Sequence, residues 1–170
     1  PGHVVVSKSV SGEGAEYLDS DFIEYPFQIY YTLPEGPNGE PGEEHLLGND
    51  DEHIRVYYQS SNHPVNFVRL YRPPGFAEED AYQNIYFINP SKNAEIAFPD
   101  NTITYRIVEC AVDSSVYGNV TINGEEVPSD RIEIRGDLRS YSSESGSAEL
   151  RPSISFDNLV NDNVIKDLYV

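Results

Sequence analysis

Residues 103–111, Ile103-Thr104-Tyr105-Arg106-Ile107-Val108-Glu109-Cys110-Ala111, read as a β-strand because apolar residues recur at every second position. Successive side chains of a strand point to opposite faces. One face carries Ile103, Tyr105, Ile107, Glu109 and Ala111, while Cys110 falls with Arg106 and Val108. The first face belongs to a core, and the carboxyl of Glu109 interrupts it. Two other strands carry a similar interruption. Near the front, Val4, Val6, Lys8 and Val10 share a face opposite Val5, Ser7 and Ser9. Near the back, Ile154, Phe156, Asn158 and Val160 share a face opposite Ser153, Ser155 and Asp157.

A lysine, a carboxyl and a carboxamide are each costly to bury alone. Burial lowers a lysine pKa and raises that of a glutamate. Placed together they have a use. A neutral Lys8 amine is a nucleophile, and the Asn158 side-chain carbonyl is an electrophile. A protonated Glu109 polarises that carbonyl and passes a proton to departing ammonia. The product is a side-chain amide that carries no charge. Taken singly, each residue has an ordinary explanation: Lys8 snorkels at a strand end, Glu109 marks a rim, Asn158 precedes the turn Asn161-Asp162-Asn163. The coincidence of all three on inward faces favours the chemistry.

The rest of the chain is read as nearly all β. Strands are expected at Val4–Val10, Tyr25–Leu33, Ile54–Tyr58, Asn66–Tyr71, Asn84–Asn89, Ala94–Phe98, Ile103–Val112, Asn119–Ile122, Arg131–Ile134 and Ser153–Val160. Asn123-Gly124, between Val120-Thr121-Ile122 and Glu125-Glu126-Val127, marks a two-residue hairpin. Pro34–Asp51 reads as a long acidic loop and Gly136–Glu149 as a Ser-rich one, with a single helical turn at Glu78–Tyr82. Many short strands between turns indicate a sandwich or a barrel.

The 170 residues suit one domain (1–170, with the acidic loop inserted around 34–51), and 38% hydrophobic content is enough to bury a core. Twenty-nine acids against 11 bases leave a net charge of −18. That charge excludes most nucleic-acid binding and docking on an anionic membrane. No apolar run approaches the ~20 residues that span a bilayer, and no signal peptide is visible. The start at Pro1 and the stop in a strand-like stretch at Val170 read as a piece of a longer chain. One Cys excludes an internal disulfide framework and a cysteine-rich metal site.

The order and spacing of these motifs resemble the isopeptide-forming, Ig-like pilin and adhesin domains of Gram-positive surface proteins, of the streptococcal pilin linker type. The opening match is Val4-Val5-Val6-Ser7-Lys8-Ser9-Val10-Ser11-Gly12, a strand with the reactive lysine and then a Gly-bearing turn. Asp21-Phe22 and Tyr25-Pro26-Phe27-Gln28-Ile29-Tyr30 match the acidic lead into an aromatic strand. The middle match is Phe98-Pro99-Asp100-Asn101-Thr102-Ile103-Thr104-Tyr105-Arg106-Ile107-Val108-Glu109, and the closing one Ile154-Ser155-Phe156-Asp157-Asn158. Two departures stand out. Pro90-Ser91-Lys92-Asn93 occupies the place of a Gly-containing hairpin, and Pro34–Tyr82 is longer than a minimal domain needs. The resemblance implies an Ig-like β-sandwich whose first and last strands are joined covalently through Lys8 and Asn158, with Glu109 as the promoting acid. It also implies an extracellular domain of an adhesin or pilin, anchored to a cell wall through regions outside this stretch and flanked by sibling domains.

Other residues offer competing sites. Cys110 with Gln28, Gln59 or Gln83 could form a thioester, against a small buried thiol as the ordinary reading. Asn49-Asp50-Asp51-Glu52 offers hard oxygen ligands without the loop spacing of a calcium site. His3, His45, His53 and His63 lack zinc spacing, and His45 and His53 are expected to be exposed. Asn119-Val120-Thr121 fits a glycosylation sequon. No phosphate loop or nucleophile elbow is present, so an enzyme with an external substrate has little support, and no cofactor or metal is called for. The competing function is a ligand-binding adhesin domain. It would hold host protein or carbohydrate through the two loops or through tyrosines in Tyr57-Tyr58 and Tyr82–Phe87.

Overall fold

The structure, a computed structural model, describes residues 2–18, 22–51, 53–138 and 151–162. Among them run twelve strands: β1 (Gly2–Ser11), β2 (Tyr25–Thr32), β3 (Glu44–Leu46), β4 (Arg55–Tyr58), β5 (Asn66–Tyr71), β6 (Tyr82–Ile88), β7 (Ala94–Phe98), β8 (Thr104–Glu109), β9 (Tyr117–Ile122), β10 (Glu125–Val127), β11 (Glu133–Asp137) and β12 (Ser153–Val160). They form an all-β sandwich. One sheet has the order β10-β9-β12-β1-β7-β4, and the other β11-β8-β2-β6-β5 with β3 added to β2.

Alternation decides what lies between the layers. Val4 and Val6 of β1, Ile96 and Phe98 of β7, and Ile154 and Phe156 of β12 face Phe27, Ile29 and Ile107 of the opposite sheet, all in one apolar core. Phe27 and Phe156 meet across the layers edge to face, their ring centroids 5.0 Å apart. Each fully buried aromatic of this kind contributes about 1.5–3 kcal/mol.

The hairpin at Asn123-Gly124 forms as expected, with both turn residues at positive φ (53° and 83°) as a tight primed turn requires. The expected turn at Glu78–Tyr82 is a 3₁₀ turn over Glu78–Asp80. The acidic stretch 34–51 is not all loop. Its Glu44–Leu46 pairs with Tyr30–Thr32 as β3, where Arg106 on the next strand but one binds Glu44. The middle strand ends at Glu109 rather than Val112, because Ala111 takes a left-handed φ of 53° that turns the chain out of the sheet. Residues 139–149 of the Ser-rich stretch lie outside the described residues, as do Asp21, Glu52 and Asn163.

The feature that positions the site is the pairing of first and last strands. β12 lies parallel to β1, Lys8 level with Phe156 and Val10 level with Asn158. Gly12 follows at φ 98°, where an added Cβ would sit 3.1 Å from the Val160 carbonyl oxygen, so only glycine lets the chain leave β1 at this point.

Candidate functional site

Lys8, Glu109 and Asn158 converge in the core. They are 2%, 4% and 0% exposed, although each carries a polar group. Lys8 and Asn158 come from neighbouring strands of one sheet, on inward positions two residues apart in register. Glu109 reaches them from the opposite sheet, where it lies level with Phe27 of β2.

The two oxygens of Glu109 face different partners. Oε1 lies 3.9 Å from Lys8 Nζ. Oε2 accepts a hydrogen bond from Asn158 Nδ2 at 2.7 Å. Lys8 Nζ donates to the Ser9 carbonyl at 2.7 Å and sits 4.7 Å from the centre of the Tyr25 ring. The Tyr25 hydroxyl meets that of Tyr117 at 2.8 Å. Tyr25, Phe27 and Phe156 are buried in the core that the three residues enter.

Burial governs the protonation of the pair. Desolvation brings the Lys8 ammonium down from 10.5 to about 8, against the opposing pull of Glu109 and Asp157. Desolvation likewise raises the Glu109 carboxyl above the ordinary carboxylate range, opposed by Lys8 and by the Asn158 hydrogen bond. The two shifts run toward each other, so moving one proton from Lys8 to Glu109 costs far less here than in water. Glu109 Oε1 and Asn158 Oδ1 are both buried without a hydrogen bond. Each orphaned acceptor costs about 1–3 kcal/mol. Turning the carboxamide over and protonating Glu109 would give Oδ1 a donor, which is the polarised arrangement that attack at Cγ needs.

The other candidates fall elsewhere. Cys110 is buried, and its thiol is pushed up to about 12 by desolvation. Gln28 spends its carboxamide on the Gln83 carbonyl and the Tyr30 hydroxyl, and Gln59 turns to Glu95. Asp51 accepts from the Tyr31 hydroxyl and the His53 backbone N–H. Among the described residues no three His, Cys, Asp or Glu side chains gather as metal ligands would. His53 is exposed, but His45 is half-buried and stacks on Tyr31, because β3 carries it over that ring. Of the aromatic residues in the two tyrosine-bearing stretches, Tyr58 and Tyr86 are buried, Tyr57 is tied to Glu95, and Tyr82 and Phe87 are half-buried.

One polar centre was not legible in advance. Glu95 sits on the outward face of β7, between Val5 and Tyr57, yet is 2% exposed. Arg151 and Tyr57 bind it, and His3 Nδ1 stands 3.4 Å away. Alternation assigns Glu95 to solvent, and the cover comes from an arginine 56 residues away in sequence.

No protein-family model matches the chain, and no curated protein does. Among solved structures it is similar to the pilus-presented adhesin Spy0125 (Cpa), at 11% identity and a TM-score of 0.49 over 93% of this chain. It is also similar to the major pilin from Streptococcus pyogenes, in a variant form, at 14% identity and a TM-score of 0.42 over 93% of this chain. The chain spans 27% of the adhesin and 47% of the major pilin.

Proposed function

We propose that this chain is a structural or adhesive domain of a Gram-positive surface protein, an adhesin or pilin, that staples itself by an amide between Lys8 and Asn158. The observation that carries the reading is one buried carboxyl, Glu109, with the amine 3.9 Å from one oxygen and the carboxamide 2.7 Å from the other. The motif resemblance supports the same roles. An extracellular setting, anchored through other parts of the protein and beside sibling domains, belongs to the same proposal.

The chemistry balances without a co-reactant. Glu109 takes a proton from Lys8, leaving a neutral amine and a carboxylic acid. The acid donates to Asn158 Oδ1, and the Lys8 lone pair adds to Cγ. The tetrahedral centre collapses as Nδ2 gains a proton and the Cγ–Nδ2 bond breaks. Amine and carboxamide become amide and ammonia. Glu109 supplies the proton to Nδ2 and takes one from the former amine. Once ammonia carries the remaining proton away as ammonium, Glu109 is left unchanged. The step happens once per chain, so it is self-modification rather than turnover.

Intact mass tests this directly. The folded protein is expected to be lighter than its sequence by one ammonia, with a cross-linked fragment joining the peptides of Lys8 and Asn158 after digestion. Glu109→Ala is expected to keep the full mass. A folded wild type at full mass would overturn the proposal.

The titration of Lys8 offers a second test. In an unlinked variant such as Asn158→Ala, the folded-state pKa of about 8 lies below the ordinary 10.5. The corresponding stability is complete above 10.5 and lost as pH falls through 8. Stability should therefore rise between pH 8 and 10, by up to about 1.4 kcal/mol per unit. Above that window the half-buried Tyr31 works the other way, since its hydroxyl is raised to about 12 and folding resists its ionisation. In the linked wild type Lys8 is an amide, and denaturant midpoints over pH 8–10 should lack this rise.

A further inference from the structure

We infer that Asp157 is a positioning residue for the linking step: its carboxylate, bridged to Ser9 and Ser11 on the outer face, fixes the β1–β12 register that brings Lys8 and Asn158 to Glu109. This rests on the proposed Lys8–Asn158 linkage.

The need for such a device follows from the strands themselves. No turn connects β1 to β12, so no loop sets their register. Apolar patterning forbids a slip of one residue, which would turn every side chain to the wrong face. It does not forbid a slip of two. Val4, Val6, Lys8 and Val10 would still lie beside Ile154, Phe156, Asn158 and Val160, all inward. Yet two residues is about 6.6 Å along a strand, and the 2.7 Å contact between Asn158 and Glu109 cannot survive it.

The discrimination lies on the other face. Ser9 Oγ donates to Asp157 Oδ1 at 2.6 Å, and Ser11 Oγ to Asp157 Oδ2 at 2.6 Å. Ser7 and Ser155 share a hydroxyl contact at 3.0 Å. Ser9 is level with Asp157, and Ser7 with Ser155. A carboxylate held by one hydroxyl at its own level and a second two residues further on, together with the Ser7–Ser155 contact, is matched in full at one register only. After a slip of two, Asp157 would face either Ser7 and Ser9 with Ser155 displaced, or Ser11 and the turn at Gly12. The residue next to the reactive asparagine thus holds from outside what reacts inside.

The test times ammonia loss by intact mass in freshly synthesised full chains. Asp157→Ala is expected to link at least about tenfold more slowly than wild type, since small misplacements of reacting groups carry penalties of that order. The Ser9→Ala and Ser11→Ala pair, which keeps the charge at 157, should slow to a similar degree and reads the clamp if Asp157→Ala does not fold. Asp157→Asn, which keeps one acceptor oxygen, should recover part of the rate. Val56→Ala, on the distant strand β4, supplies a loss of stability without touching the clamp and should link at the wild-type rate. Wild-type rates in the clamp variants, or equal slowing in Val56→Ala, would overturn the positioning role while leaving the linkage intact. A wild type that never loses ammonia would remove the linkage itself, and this inference with it.

Discussion

Asn158→Ala is expected to melt about 10–20 °C below the wild type. The amide would close a loop of 158 − 8 + 1 = 151 residues. On the chain-entropy treatment of cross-links, such a loop removes enough freedom from the unfolded chain to stabilise the fold by about 5 kcal/mol. For a chain of this size each kcal/mol moves the midpoint by about 2–4 °C. Truncation also leaves a cavity where the fully buried Asn158 side chain was, which adds to the loss. Glu109→Ala separates the contributions: it retains both reacting side chains, blocks the bond, and should share the greater part of the drop. The check is scanning calorimetry on samples whose mass has first been measured. Reductant should leave the wild-type midpoint unchanged, because an amide is not a disulfide. A linked wild type only a few degrees above its unlinked variants would show that the bond closes a chain already restrained in the unfolded state.

The buried polar cluster was legible because strands expose an error in their own pattern. Lys8, Glu109 and Asn158 each fall on a face that is otherwise Val, Ile, Tyr or Phe, and a period of two is enough to see it. Alternation could not say which strands are neighbours. That β1 lies parallel to β12, with Glu109 arriving from the other layer, depends on contacts between residues more than a hundred positions apart. The same limit hid the Glu95 centre, since Arg151 covers it from far along the chain. It also hid β3, three residues inside an acidic stretch, which pair with β2 beside Arg106. The end of β8 escaped for a local reason. Alanine gives no sign of a left-handed backbone, yet Ala111 adopts one and releases the chain two residues after Glu109.

Pulled by its two ends, the wild type is expected to withstand force without releasing the chain between Lys8 and Asn158, whereas Glu109→Ala should unfold and lengthen by roughly 500 Å. The geometry sets both outcomes. β1 and β12 are adjacent and parallel, so tension on the front of β1 and the back of β12 draws them past one another in shear. Without the amide, resistance comes from the ladder between them and from the hydroxyl–carboxylate contacts of Ser9 and Ser11 with Asp157, all of which part once the strands slide. The 158 − 8 = 150 residue steps beyond that point then extend at about 3.3–3.6 Å each. With the amide, force leaves β1 through the Lys8 side chain and enters β12 at Asn158, and the strands between carry none of it. Single-molecule stretching through handles at both ends reads the difference as the presence or absence of that release. A mass-verified linked wild type that lengthens as far as Glu109→Ala would break this account of the load path, because a closed loop cannot open without cleaving the bond. The same arrangement would give a staple in this position an advantage over one elsewhere in the sandwich, because it would join the two strands on which tension at the front of β1 and the back of β12 acts.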